Sequence, residues 1–214
     1  MTSCVLDHIV IGAATLEQGE AFVRERLGVE IGPGGQHALM GTHNRLMRLG
    51  PNAYLEVIAV DPAAPPPGRP RWYSLDDPEM QARLREEPRL ICWVLRVSDI
   101  VAAVQSAAVP LGEVTSVSRG ELSWRLTVPA DGHLPGGGTV PHLIEWDCGA
   151  RPWERMAAVG CDLETLILRH PQPEWLDQAL HALCSAGFGF VSCEKGEKPE
   201  LSARIITPSG VRII

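Results

Sequence analysis

The chain has 214 residues, 45% of them apolar, and a formal net charge of −7. That length suits one large domain or two small ones, and the acidic balance speaks against a general nucleic-acid binder, which needs a basic face. No apolar run nears the roughly 20 residues of a membrane span, and the opening MTSCVLDHIVIG lacks a basic n-region and is interrupted by Asp7 and His8, so neither a membrane protein nor a signal peptide is expected, and the compartment is expected to be cytoplasmic. In chain order, residues 4–12 read as a Val- and Ile-rich strand. Residues 16–27 carry Leu16, Phe22, Val23 and Leu27 at near-helical spacing, and Gly28 stands where a helix C-cap would lie. A glycine-rich loop at 32–35 leads to a short strand near 37–40. Strands at 44–49 and 53–60 follow, split by the Gly50-Pro51-Asn52 turn. Residues 1–62 thus read as one strand–helix–strand–strand–strand unit. Pro65 to Pro67 then favour an extended link. A short helix is expected within 72–87, capped by Asp77 and opened by Pro78. Residues 63–89 are therefore a connector.

The pattern restarts over 90–150. It runs as a strand at 90–97, a helix at 100–108 with Ser98 as candidate N-cap, and strands near 113–118, 122–128 and 142–146. The loop 130–141 carries four glycines, two prolines and His133, and is expected to be mobile beside a cleft. A third, shorter copy over 160–214 has a strand at 163–168, a helix at 173–186 and strands near 188–193, 201–207 and 211–214. The chain is α+β, with two full copies and one compact copy of a single unit.

Laid over one another by element order, the copies place His8 opposite Cys92, each eight residues before the first apolar residue of its helix. Tyr54-Leu55-Glu56-Val57 falls opposite Leu143-Ile144-Glu145-Trp146, which makes Glu56 and Glu145 equivalent. Strand alternation puts Leu55, Val57 and Ala59 on one face and Glu56 on the other. It also separates Val5, Ile9 and Ile11 from Leu6, His8 and Val10. The ionisable residues then point away from the helices, into whatever the sheet encloses. His142, three residues before Glu145, is expected on the helix side. A carboxylate in mid-strand is costly unless paired, solvated or metal-bound.

The element order, DHIVIGAATLE at the start and YLEVIAVDP closing the first copy resemble the vicinal-oxygen-chelate superfamily, which includes glyoxalase I, extradiol dioxygenases and fosfomycin-modifying thiol transferases. The stretches GTHNRLMRLGPNAYLEVIAVDP (41–62), SWRLTVP…VPHLIEWD (123–147), LRHPQPEWL and ITPSGV look like its glyoxalase-like domain subgroup. The resemblance implies paired βαβββ modules in a curved, cleft-enclosing mixed sheet with helices outside, plus a third compact module at the C-terminus. It also implies one divalent metal, zinc, nickel, manganese or iron, held by a histidine from each first strand and a glutamate from each last strand. Carried over, those positions are His8, Glu56, Glu145 and, where the second histidine would stand, Cys92. Cysteine in that place departs from the usual imidazole and carboxylate set.

Two readings of function follow. One is a lyase- or isomerase-type enzyme acting on a small carbonyl, thiol-adduct or hydroxy-acid compound, in which a metal or Glu56 and Glu145 handle an enolate-like intermediate. The other is a binding protein that sequesters a small apolar or planar ligand. His8 is a metal ligand or a histidine bonded to Glu56. Cys92 is a ligand, a nucleophile activated by His8, or a small buried residue like most of the six cysteines, among them Cys148, none of which has CxxC spacing. His43, Asn44, Arg96 and Trp124 are candidate substrate contacts, Arg96 for an anionic group. The expected partner is a small molecule, with no nucleic acid or membrane. The third copy has no matching histidine or carboxylate. It is expected to be structural, covering a sheet edge or forming a homodimer surface.

Overall fold

The structure, a computed structural model, describes residues 4–147 and 151–214; Cys148 lies outside them. The first copy comprises β1 (Val5–Gly12), α1 (Leu16–Leu27), β2 (Gln36–His37), β3 (Thr42–Leu49) and β4 (Ala53–Val60). Thr15 caps α1 by accepting the Gln18 N–H, and Gly28 ends the helix at φ 72°. The strand expected at 37–40 is only β2, because the chain turns back at once and Met40 N–H reaches His37 O at 3.0 Å. The second copy comprises β5 (Arg89–Arg96), α3 (Ile100–Ser106), β6 (Glu113–Arg119), β7 (Leu122–Val128) and β8 (His142–Trp146). Asp99, not Ser98, caps α3, accepting from Ala102 N–H at 3.0 Å. Between the copies lies α2 (Pro78–Glu86), capped by Asp77 as the sequence suggests. The third copy runs β9 (Asp162–His170), α4 (Pro173–Leu183), β10 (Val191–Lys195), β11 (Glu200–Thr207) and β12 (Gly210–Ile213).

The first two copies build one eight-stranded mixed sheet in the order β2-β3-β4-β1-β5-β8-β7-β6. Its terminal strands β2 and β6 come into contact, so the sheet curls almost into a barrel. The third copy forms its own sheet, β10-β9-β11-β12. Leu166, Leu168, Leu201, Ala203 and Ile205 pack with Ile9, Trp93 and Leu95 in one core on the helix side, and β11 lies against the central strand β5.

The register of β1 against β5 has two-fold symmetry about the Ile9–Trp93 pair. His8 pairs with Val94 and Val10 with Cys92, so His8 and Cys92 are equivalent, as the element order suggests. Each strand carries a bulge at the matching place, Asp7 in β1 and Ile91 in β5. A bulge lets two consecutive residues face the same side. Asp7 therefore joins His8 on the concave face, and Leu6, expected beside His8, packs into the opposite core.

The connector does more than link. Trp72, Tyr73 and Leu75, with Met80 and Leu84 of α2, fill the concave side against Val10, Ile91, Cys92 and Val94. Burying a leucine such as Leu75 or Leu84 contributes about 1.5–3 kcal/mol. Part of this offsets backbone strain, since Tyr73 and Ser74 sit at φ 60° and 56°, a region that costs a non-glycine residue about 1–2 kcal/mol. Ser74 N–H donates to Gly132 O at 2.8 Å, which anchors the strained turn to the 130–141 loop.

Candidate functional site

One small cavity remains inside the curl, lined by His8, Tyr54 and Glu56 of the central strands, His37 and Asn44 of the β2–β3 hairpin, Trp72 and Tyr73 of the connector, and Trp124 and Trp146 of the second copy. The cavity is small, about 30 Å³, room for about two waters. Arg119, at the end of β6, is the half-exposed member of the lining and marks the mouth.

His8 is held on three sides. Its Nδ1 lies 2.8 Å from Asp7 Oδ1, its ring stacks on Tyr54 with centroids 4.5 Å apart, and its Nε2 stands 3.6 Å from Glu56 Oε2. Asp7 is fully buried yet well supplied. Trp146 Nε1–H donates to its Oδ2 at 2.9 Å, and the Arg96 guanidinium lies 3.6 Å from the same oxygen. A buried carboxylate on Nδ1 fixes the imidazole orientation and leaves Nε2 for chemistry. Glu56, 5% exposed, accepts from Asn44 Nδ2 at 2.5 Å through Oε1. Asn44 cannot be flipped without loss, because its Oδ1 already accepts from Gly35 N–H at 2.8 Å and Arg119 NH1 at 3.1 Å. A Cβ on Gly34 would sit 2.1 Å from Asn44 O, so glycine is what lets the loop reach this strand.

Of the residues singled out in the sequence, His8, Glu56, Asn44 and Trp124 meet at this cavity. His43 does not; it turns to the other face of β3, 4.0 Å from Asp61. Arg96 is committed to Asp7 and to the face of Trp153, 4.5 Å from its ring centre. Burial pulls its pKa down and Asp7 opposes this. Glu145 is a correction. The β5–β8 register pairs Val94 with His142, just as the β1–β4 register pairs Val10 with Glu56, so the counterpart of Glu56 is His142. Glu145, an odd three residues on, lies on the opposite face. There it accepts Ile100 N–H at 2.7 Å at the start of α3 and pairs with Arg125 at 2.5 Å. His142, expected on the helix side, is instead concave. Its Nδ1 meets Thr127 O at 2.9 Å, its Nε2 has no partner among the described residues, and Tyr73 stands edge-on 5.0 Å away. Burial pushes its pKa down to about 4. Cys92 is fully buried beside it, its thiol pushed well up by burial and then by the charge of Glu56.

The set expected to hold a divalent metal is thus divided. His8 and Glu56 face the cavity, Cys92 is sealed within the connector's packing, and Glu145 serves the other face. Among the described residues, no three His, Cys, Asp or Glu side chains converge on a point where a metal could bind. The donors present do not fit a chelated ion.

Sequence reasoning missed Asp7, Tyr54, His37 and the connector pair Trp72 and Tyr73. His37 lies between Trp72 and Trp124, with Nδ1 3.1 Å from Thr42 Oγ1. Burial pushes its pKa down to about 4 against the raising pull of Glu56. Asp7 had a signal, an acid inside an apolar strand, but only a bulge turns it inward.

Comparison with known families fits this architecture. The glyoxalase-like domain model matches residues 6–184. The chain belongs to that family. A hypothetical protein from Staphylococcus aureus, known from its crystal structure, overlays this glyoxalase-like protein with a TM-score of 0.66 at 15% identity, covering 92% of this chain and 88% of that one. Methylmalonyl-CoA epimerase from Mycobacterium tuberculosis aligns with a TM-score of 0.43 at 20% identity, over 66% of this chain and 85% of its own. A variant of Streptomyces coelicolor methylmalonyl-CoA epimerase in complex with 2-nitronate-propionyl-CoA gives 0.41 at 16% identity, over 67% and 97%. No curated protein matches. Among the described residues, no helix is long and apolar enough to cross a membrane.

Proposed function

We propose that this glyoxalase-like protein is an isomerase- or lyase-type enzyme whose His8–Glu56 pair moves a proton at a carbon next to a carbonyl group. The observation that carries this is the 3.6 Å approach of His8 Nε2 to Glu56 Oε2 in a water-poor cavity, with each group braced from behind by Asp7 or Asn44. Glu56 takes the carbon-bound proton. The electron pair of that C–H bond moves onto the carbonyl oxygen as an enolate, and a proton on His8 Nε2 meets that oxygen. Returning a proton to the carbon on either face completes an isomerisation; loss of a neighbouring leaving group completes an elimination. Asp7 keeps the imidazole aimed, and Tyr54 blocks rotation of its ring. No step is routed through a metal, since the donors do not assemble one.

The sequestering alternative has less support, because a cavity with room for about two waters holds the reacting end of a molecule, not the whole of a planar drug. The test is proton NMR in deuterium oxide on a panel of 2-hydroxy ketones, 2-oxo acids and malonyl-type half-acids. The protein should catalyse loss of the signal alpha to the carbonyl in at least one class. Glu56→Gln should slow it about 10²-fold or more. If the whole panel stays protonated while compounds still bind, the enzyme reading fails and the binding reading replaces it.

A further inference from the structure

We infer that Arg119 is the anion anchor of this site, so that the substrate is a small carboxylate whose reacting carbon sits between Arg119 and Glu56. The inference rests on the proton-transfer reading for the word substrate, but the anion site itself stands on geometry alone.

Arg119 is the one arginine or lysine in the cavity lining. Its neighbours in the sheet have their charges met: Arg96 lies beside Asp7, and Arg125 pairs with Glu145 and Asp147. Arg119 makes no ion pair among the described residues; it donates to the neutral amide oxygen of Asn44, at 3.1 Å. A guanidinium has five N–H donors in a planar fork that suits a carboxylate, and Asn44 occupies one. The side chain is also placed, not loose. It crosses from the end of β6 to the glycine loop before β2, where a Cβ on Gly35 would stand 2.8 Å from Arg119 Cδ. Glycine at 35 leaves the space in which the arginine lies.

Asn44 joins the two ends. Its oxygen takes the Arg119 N–H and its nitrogen serves Glu56, so the cation and the proposed base flank one amide. An anion at the mouth has to approach two buried carboxylates, Asp7 and Glu56. Arg119 is the charge that makes the approach favourable. The cavity behind it has room for a carbonyl and its neighbouring carbon and little more. Together these features fit a carboxylate close to the reacting carbon, as in 2-oxo acids, 2-hydroxy acids and malonyl-type half-acids.

Trp72, Trp124 and Trp146 line the same cavity, so their fluorescence reports occupancy. Pyruvate, malonate, inorganic phosphate and the neutral acetone should be titrated into the intact protein and into Arg119→Lys, Arg119→Met and Glu56→Gln variants, each checked by near-ultraviolet circular dichroism. Pyruvate or malonate should change the wild-type signal saturably. Arg119→Met should weaken that binding about tenfold or more, as loss of a charge-assisted contact does, with Arg119→Lys between the two and acetone unaffected by either. Glu56→Gln should keep carboxylate binding while losing deuterium exchange. Equal carboxylate binding by wild type and Arg119→Met, or none by the wild type, overturns the anchor. So does phosphate binding tighter than either carboxylate. Arg119-dependent binding without exchange by any carboxylate sinks the proton-transfer reading and leaves the anchor. Carboxylate exchange and binding both undiminished in Arg119→Met do the reverse.

Discussion

The two halves of the curled sheet share a backbone and differ in chemistry. Their registers match Asp7 with Ile91, His8 with Cys92 and Glu56 with His142, and the β3–β4 and β7–β8 pairings match Asn44 with Leu126. The first half places an imidazole, an amide and a carboxylate at a cavity, with an acid bracing the imidazole from behind. The second offers an aliphatic chain, a protonated thiol, a leucine and a neutral imidazole, and the connector closes over them with Tyr73. A duplicated scaffold therefore does not require duplicated function. Here the polar groups are gathered on one side of the two-fold axis, where they can brace one another. The other side has become core.

The largest expected difference between the halves lies at the bulges. Asp7→Ala would leave the Arg96 guanidinium without its carboxylate and the Trp146 N–H without its acceptor, and would free the His8 ring. Removing one partner from such a buried ionic network costs about 3–5 kcal/mol. Its counterpart Ile91→Val should cost only about 0.5–1.5 kcal/mol. Urea denaturation of both variants measures the contrast, and deuterium exchange should collapse in the first and persist in the second. Equal stability losses would mean that the charged half is no more tightly built than the apolar one.

The halves should behave alike in one respect, because each holds a buried neutral histidine. His37 and His142 both have pKa values pushed down to about 4 by burial, against about 6.5 in the unfolded chain. Between those values the unfolded chain binds more protons than the folded one, so stability rises with pH. The contribution of each is complete above pH 6.5, is lost as pH falls, and stops changing below about pH 4. It amounts to about 3 kcal/mol per histidine. Urea midpoints measured from pH 7 to pH 4 should fall steeply, and His142→Gln should remove about half of the histidine-driven slope. An unchanged slope would show that His142 is protonated in the folded state.

Much of the fold was legible because it rests on local signals. The caps at Gly28 and Asp77, the Gly50-Pro51-Asn52 turn and the recurring strand–helix order all mark boundaries that neighbouring residues determine. The equivalence of His8 and Cys92 followed from the same order. The site was less legible because it depends on register, and register has a period of two. Aligning Glu56 with Glu145 instead of His142 is a shift of three, and any odd shift moves a side chain to the other face. The short strand His142–Trp146 carries polar residues at 142 and 145, one on each face, so alternation alone could not choose. The inward turn of Asp7 depends on a bulge that exists only through pairing of β1 with β5. The role of Trp72 and Tyr73 depends on the connector folding back against Val10 of β1 and Ile91, Cys92 and Val94 of β5, for which proline-rich composition gives no hint.

The smallest expected effect is at Cys92, and it separates the three roles that the sequence left open. As a nucleophile or ligand, Cys92 would need an accessible thiolate. It is instead fully buried beside Tyr73, with its thiol held well above the ordinary range, which keeps it protonated and unreactive at neutral pH. Cys92→Ala removes one sulfur from a packed core and should cost about 1 kcal/mol. It should leave exchange at the His8–Glu56 site unchanged. Thiol labelling of the native protein, read by mass spectrometry at each cysteine, should find Cys92 silent until Tyr73→Ala opens the space above it. A tenfold loss of exchange in Cys92→Ala, or labelling of Cys92 in the untouched protein, would return the second half to the active site and end the asymmetry between the halves.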